Sequence, residues 1–271
     1  MKSSFAESVR QDVRRVLAER VLEPVPDITA TEVERLPRPV QRWLFASGVV
    51  GRHAPHTVRL RQQGKMRATP HGIWMNVNAE QYFSLDRPGF VWIVDARYLG
   101  LPVHGRDMYA AGEGSLIIKL GSCVDLVNAS DAKIASGALQ RFLAESVWFP
   151  SAALRPYVHW TAIDDARARA TVVDGDREVS VEFDFDGRGR VMQLRAERFF
   201  GGGANAKIEP WFVRCDRWRR VRGVEMPVHG EVGWHLEEGA FVYYRWEILD
   251  VEVDRPEPFS SEVPTASTTA V

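Results

Sequence analysis

The sequence predicts a mainly β fold of the α+β class. A large antiparallel sheet curves into a half-barrel around one central helix, with two helices at the N-terminus. Three observations carry this expectation. Between residues 57 and 250, apolar and polar side chains alternate with period two in segments of strand length. Consecutive segments are joined by short turns such as Asp174-Gly175 and Arg222-Gly223, too short for parallel crossovers and suited to a meander. One stretch breaks the period: Ala135, Ala138, Leu139, Phe142, Leu143 and Val147 recur at helical spacing within residues 133–149. A helix with so wide an apolar face needs a sheet to cover it, and the sheet needs a cover in turn.

The elements follow in order. Phe5, Val9, Val13, Val16, Leu17 and Val21 form one side of a first helix over residues 3–22, which the prolines at 24 and 26 end. Pro39 suits the first turn of a second helix running to Ser47, and Gly48 closes it. A first strand series occupies about 57–63, 73–85, 90–98, 103–110 and 115–127. After the central helix, which Pro150 stops, a second series starts at Trp160. It continues through 166–173, 178–185, 191–199, 211–220, 225–236 and 241–253. In the strand at 178–185, Val181, Phe183 and Phe185 alternate with Glu182 and Asp184, giving one dry and one wet face. We expect these segments to give about ten or eleven strands. Twist would curl so wide a sheet. The expected organisation is a helical segment at 1–50, a β domain at 51–255 and a disordered Ser/Thr/Pro-rich tail at 256–271.

Composition bounds the function. The chain has 271 residues, 45% hydrophobic and 26% charged, with a formal net charge of −1, so no global field draws it to nucleic acid or an anionic surface. No apolar run approaches the roughly 18 residues of a membrane span, and the N-terminal stretch has no signal-peptide pattern. The expected compartment is the cytoplasm. Cys123 and Cys215, the only two cysteines, read as reduced core thiols. No P-loop, GxGxxG, HExxH or GxSxG string occurs, so no cofactor is expected. His229, Glu231 and His235 share a strand face, yet nothing supplies further ligands, and no metal site is assigned. The arginines at 214, 217, 219, 220 and 222 interleave with Trp211, Phe212 and Trp218, which alternation of a wet and a dry face explains without nucleic acid. Oligomeric state is left open.

Two sets of candidate residues remain. Arg106 and Asp107 leave opposite faces of one strand, and Tyr109 shares the face of Asp107. If that face is concave, Arg106, Asp107, Tyr109 and Glu145 form a polar cluster beneath the helix, either an acid/base site or an ion pair fixing helix to sheet. Arg141, four residues before Glu145, is placed on the wet side of the helix. The second set is apolar: Trp74, Trp92, Trp234 and Trp246 on dry strand faces, and Leu139, Phe142 and Leu143 on the helix. A sheet of this width encloses more space than one helix, about 10 Å across, can fill. The residual space would accept a hydrophobic small molecule or a fatty-acid-like acyl chain. The expected functions are such a binding module first, an enzyme built on the polar cluster second, and a structural or interaction domain third.

Several strings carry a resemblance. Leu36-Pro-Arg-Pro-Val-Gln-Arg42, Pro88-Gly-Phe-Val-Trp92, Arg106-Asp-Met-Tyr-Ala-Ala-Gly-Glu-Gly114 and Arg141-Phe-Leu-Ala-Glu-Ser-Val-Trp-Phe-Pro150 resemble an uncharacterised bacterial domain-of-unknown-function family, as does the hairpin from Trp234 to Asp250. The resemblance implies a fold and no reaction. The order of a helix within a long β meander is also similar to the half-barrels of lipoprotein-localisation factors, which implies an acyl-binding concave face.

Overall fold

A computed structural model describes residues 2–18, 26–121 and 124–259. The first helix, α1 (Lys2–Ala18), is followed by a single turn, α2 (Ala30–Val33), and by α3 (Arg38–Ser47). Thr29 and Glu32 form a reciprocal capping box on α2. Pro39 sits in the first turn of α3, and Gly48 ends it at φ 77°, a left-handed conformation that costs glycine little. The last four residues of the expected first helix, 19–22, lie outside the described residues, as does Cys123.

The β chain forms a single antiparallel sheet. Its first series is β1 (Thr57–Met66), β2 (Met75–Ser84), β3 (Gly89–Tyr98), β4 (Leu101–Ala110), β5 (Glu113–Leu120) and β6 (Val124–Ala129). After the central helix α4 (Ala132–Glu145) come β7 (Val158–Ala162), β8 (Arg167–Asp174), β9 (Arg177–Phe185), β10 (Val191–Phe200), β11 (Lys207–Val221), β12 (Val224–Leu236) and β13 (Gly239–Val253). The spatial order is 6-5-4-3-2-1-13-12-11-10-9-8-7. The two meanders therefore join where β1 pairs with β13, Val58 facing Val253 and Met66 facing Tyr244. The strand count of thirteen exceeds the expected ten or eleven. Part of the excess is the stretch at 115–127, where Gly121 at φ 63° opens a turn that makes two strands of one.

The connection from β6 to β7 must travel between the two free edges of the sheet, and α4 makes that crossing. It packs on β4 and β5 of one wing and on β8, β9 and β10 of the other, so the sheet curves around it. Asp131 caps α4 by accepting from the Lys133 and Ile134 amides at 2.9 Å. The α-helix ends at Glu145 rather than near Phe149, and two tight 3-10 turns, Ser146–Trp148 and Pro150–Leu154, replace the last turn. Leu139, Phe142 and Leu143 are essentially inaccessible to solvent. The helix also needs a flat seat: a Cβ at Gly114 would lie 2.4 Å from the Ala135 Cα, so the absence of a side chain lets α4 approach β5.

The N-terminal helices cover opposite sides of the sheet. Val13, Val16 and Leu17 of α1 pack on Tyr82, Val91, Met108 and Ala110 on the convex face. Trp43 of α3 reaches the concave core, where its ring meets Trp160, Phe183 and Phe185. Near the chain end, Phe259 packs on Tyr82 with ring centroids 5.8 Å apart, and its amide donates to the Tyr82 hydroxyl. Its residue number belongs to the segment that composition assigns to the tail. Among the described residues no helix is long and apolar enough to cross a membrane.

Candidate functional site

Strand parity decides which side chains meet under the helix. On β1, β2 and β13 the inward positions are mostly apolar, but Gln62, Gln81 and Tyr244 are inward and buried as well. A register shift between Arg61 and Gln62 against β13 sets Gln62 opposite the buried Ile248, on the face that Tyr244 also shares. The Tyr244 hydroxyl donates to Gln62 Oε1 at 2.8 Å, and Gln62 Nε2 donates to Gln81 Oε1 at 2.9 Å. Gln81 Nε2 then donates to Glu145 Oε2 at 2.6 Å. Arg141 closes the chain, with Nε donating to Glu145 Oε1 and Nη1 to Asp107 Oδ2, both at 2.7 Å. One continuous hydrogen-bonded path thus runs from β13 through β1 and β2 to α4 and on to β4.

Burial sets the charges along this path. Loss of solvent raises the Glu145 carboxyl above the ordinary glutamate range, although Arg141 opposes the shift. For Arg141 burial disfavours the charge, but Glu145 and Asp107 outweigh it and hold the guanidinium ionised. Burial also keeps the Tyr244 hydroxyl protonated.

The placement of Arg141 corrects the sequence reading. It faces not water but the concave sheet, with its guanidinium 5.2 Å from the centroid of Phe90 and 4.7 Å from that of Trp92. The apolar face of α4 is wider than its stripe, because sheet lies on both flanks. Of the expected polar cluster, Asp107 and Glu145 meet through Arg141. Arg106 points to the convex side, where Nη1 lies 3.2 Å from Asp12 Oδ2 of α1. Tyr109 points inward but two residues further along the strand, and its hydroxyl donates to Asp174 Oδ2 at 2.7 Å under the other wing. Sequence alone does not reveal Gln62, Gln81 and Tyr244, since polar residues at inward positions are recognisable only once strand register is known.

Beside this path lies a cavity of about 460 Å³ between the C-terminal half of α4 and the concave sheet. Trp92, Trp148, Trp211, Trp234 and Trp246 stand in its wall, five of the nine tryptophans, together with Phe200 and Phe241. Met66, Arg67 and Ala68 border it at the β1–β2 hairpin end. Gly230 makes room for one wall member: a Cβ there would lie 2.4 Å from the Trp246 ring. The apolar candidates divide. Trp92, Trp234 and Trp246 line the cavity. Leu139, Phe142 and Leu143 do not; they fill the solid core on another side of α4. Trp74 is misplaced in the sequence reading: it precedes β2 and stacks with the guanidiniums of Arg67 and Arg245, at 4.7 and 4.9 Å, away from the cavity wall.

The polar atoms of the wall that lack a partner are of one kind. The indole Nε1 of Trp92, the indole Nε1 of Trp148 and the Nε of Arg198 are buried without a hydrogen-bond partner among the described residues. All three are donors. Elsewhere the charged groups satisfy one another. His229 pairs with Asp216 at 2.6 Å, and Glu231 accepts from Arg214 at 2.9 Å. His235 faces the ring of Phe212. Arg222 reaches Asp250 and Glu252, so the basic stretch on β11 is largely answered by neighbouring carboxylates and carbonyls. Among the described residues no three His, Cys, Asp or Glu side chains converge as a metal site. Cys215 is a buried free thiol whose pKa burial pushes up.

Among solved structures, the chain is similar to a LolA superfamily protein, NE2245 from Nitrosomonas europaea, at 12% identity and a TM-score of 0.40, covering 83% of this chain and 94% of the other. It is similar to a putative outer membrane lipoprotein-sorting protein domain from Vibrio parahaemolyticus at 5% identity and 0.42, covering 82% and 94%. A DUF1329 family protein from Desulfovibrio piger ATCC 29098 aligns at 7% identity and 0.37, covering 85% and 95%. No curated protein matches the chain. Residues 26–246 match the model of a family of unknown function, DUF6544, and the chain belongs to that family.

Proposed function

We propose that this protein binds a hydrophobic small molecule or acyl chain in the cavity between α4 and the concave sheet. The observation that carries the reading is the cavity itself. Its volume of about 460 Å³ falls inside the roughly 300–1,000 Å³ of small-molecule sites. Its wall concentrates large aromatic rings, which bring much apolar surface with few rotatable bonds. Filling it would remove that surface from water.

The alternative of an enzyme built on Asp107 and Glu145 has less support. Both carboxylates are engaged by Arg141, and Glu145 accepts from Gln81 as well. That arrangement suits a brace holding helix to sheet. We place the protein in the cytoplasm, a reading that the free thiol of Cys215 suits; cell fractionation tests it.

The binding reading is tested by titrating detergent-free protein with tetradecanol. Tryptophan fluorescence should change, since five indoles border the site. At a free ligand concentration a hundredfold above Kd the native state should gain about 2.7 kcal/mol, seen as a concentration-dependent rise in Tm. Fluorescence and Tm both unmoved would leave the structural role as the better account.

A further inference from the structure

Three guanidiniums and two carboxylates border the cavity: Arg67, Arg141 and Arg198 against Asp107 and Glu145. Arg141 is answered by both carboxylates. Arg67 donates to the Val242 and Pro70 carbonyls near the β1–β2 hairpin. Arg198, on β10, has fewer partners still, with its Nε unpaired among the described residues. Among the described residues no carboxylate pairs with it, and its one hydrogen bond runs from Nη2 to the Gly137 carbonyl at 2.8 Å. Its guanidinium lies 4.4 Å from the centroid of the Trp211 ring and 5.7 Å from that of Trp234. A Cβ at residue 137 would come within 3.0 Å of Nη2, so Gly137 provides the notch on α4 in which the group rests. Burial works against the charge and pulls the Arg198 pKa below the usual arginine range. A guanidinium kept in an apolar wall without a counter-ion is costly.

The neighbouring polar atoms point the same way. The buried wall atoms without partners are the Nε of Arg198 and the indole nitrogens of Trp92 and Trp148, donors with no orphaned acceptor among them. The Tyr243 hydroxyl, also at the wall, accepts from Trp211 Nε1 at 3.2 Å and so keeps its own proton to give. A wall with surplus donors and one net positive charge selects a guest rich in acceptors and negatively charged.

We propose that the ligand is an anionic single-chain amphiphile, its carboxylate-type head held by Arg198 and the Tyr243 hydroxyl and its tail lying among the cavity's tryptophans. This inference rests on the cavity-binding reading above and adds the head group. Arg is suited to the role because its planar fork matches two carboxylate oxygens and its stem packs on aromatic faces.

The test compares tetradecanoate with tetradecanol, equal in chain and different in head, by calorimetric titration at a pH well above the carboxylate range. The acid should bind about ten- to a hundredfold tighter than the alcohol, the worth of one charge-assisted pair. In Arg198→Met, which keeps the bulk and removes the charge, the two affinities should converge through loss of the acid's advantage. In Tyr243→Phe the advantage should shrink by a smaller factor. Equal affinities in the wild type would overturn the head-group assignment while leaving the apolar site standing. Binding of neither ligand would overturn both readings. Persistence of the acid's advantage in Arg198→Met would move the anion elsewhere and also overturn the proposal. The wild-type comparison needs no substitution, so it remains decisive even where a variant fails to fold.

Discussion

Removing the guanidinium of Arg141 would leave Asp107 and Glu145 facing the concave core without their cation. The expected cost of Arg141→Ala is about 3–5 kcal/mol, the range for breaking one side of a buried pair. Arg169→Ala, on an exposed cross-strand pair with Glu182, should cost less than about 1 kcal/mol. Urea unfolding of the two variants measures the contrast, and equal losses would mean that the Arg141 pair is as wet as the other. Glu145 adds a pH signature. Its folded-state pKa stands above the ordinary value, so the native state holds the proton more readily than the unfolded chain. Its contribution to stability is therefore full below the ordinary carboxylate range and lost as pH rises through the raised value. A series of unfolding curves across that window should show this loss in the wild type and a flatter profile in Glu145→Gln. The same profile in both proteins would remove Glu145 as the source.

At the scale of elements, α4 is a strut seated between two wings, and its two faces meet different surroundings. Leu139→Ala and Phe142→Ala open space in solid core and should each cost about 2–5 kcal/mol. Gly114→Ala acts from the other partner: its methyl group would overlap the Ala135 backbone and force helix and strand apart. A loss of about 1–3 kcal/mol is expected, typical of overpacking, and thermal unfolding against wild type reads it. The helix, its apolar stripe and the meander can be read from periodicity alone, because 3.6- and 2-residue repeats are local properties. The helix flank of Arg141 cannot. Whether a flank is wet depends on how far the sheet curls, and curl is fixed by strand count and bulges such as the shift between Arg61 and Gln62. Parity likewise separates Arg106 from Asp107 within one strand. It says nothing of which residue on another strand stands opposite, so Gln62, Gln81, Tyr244 and Arg198 emerge only with the register.

For the whole molecule, the closing pair β1–β13 joins residues nearly two hundred positions apart, while every other strand pairing joins sequence neighbours. The resulting trough is wider than α4. The tight turns after Glu145 swing Trp148 against Trp246, ring centroids 5.2 Å apart, and the space beyond them is the cavity. Val127 of β6 borders it and is half-buried, so Val127→Trp should obstruct the site while leaving the helix seat untouched. If this space holds a hydrophobic guest, native mass spectrometry after incubation with tetradecanol should reveal the complex. A one-to-one adduct is expected in the wild type, with Val127→Trp remaining folded and free of it. Bare polypeptide in both proteins, or the same adduct in both, would rule out the cavity as the binding site.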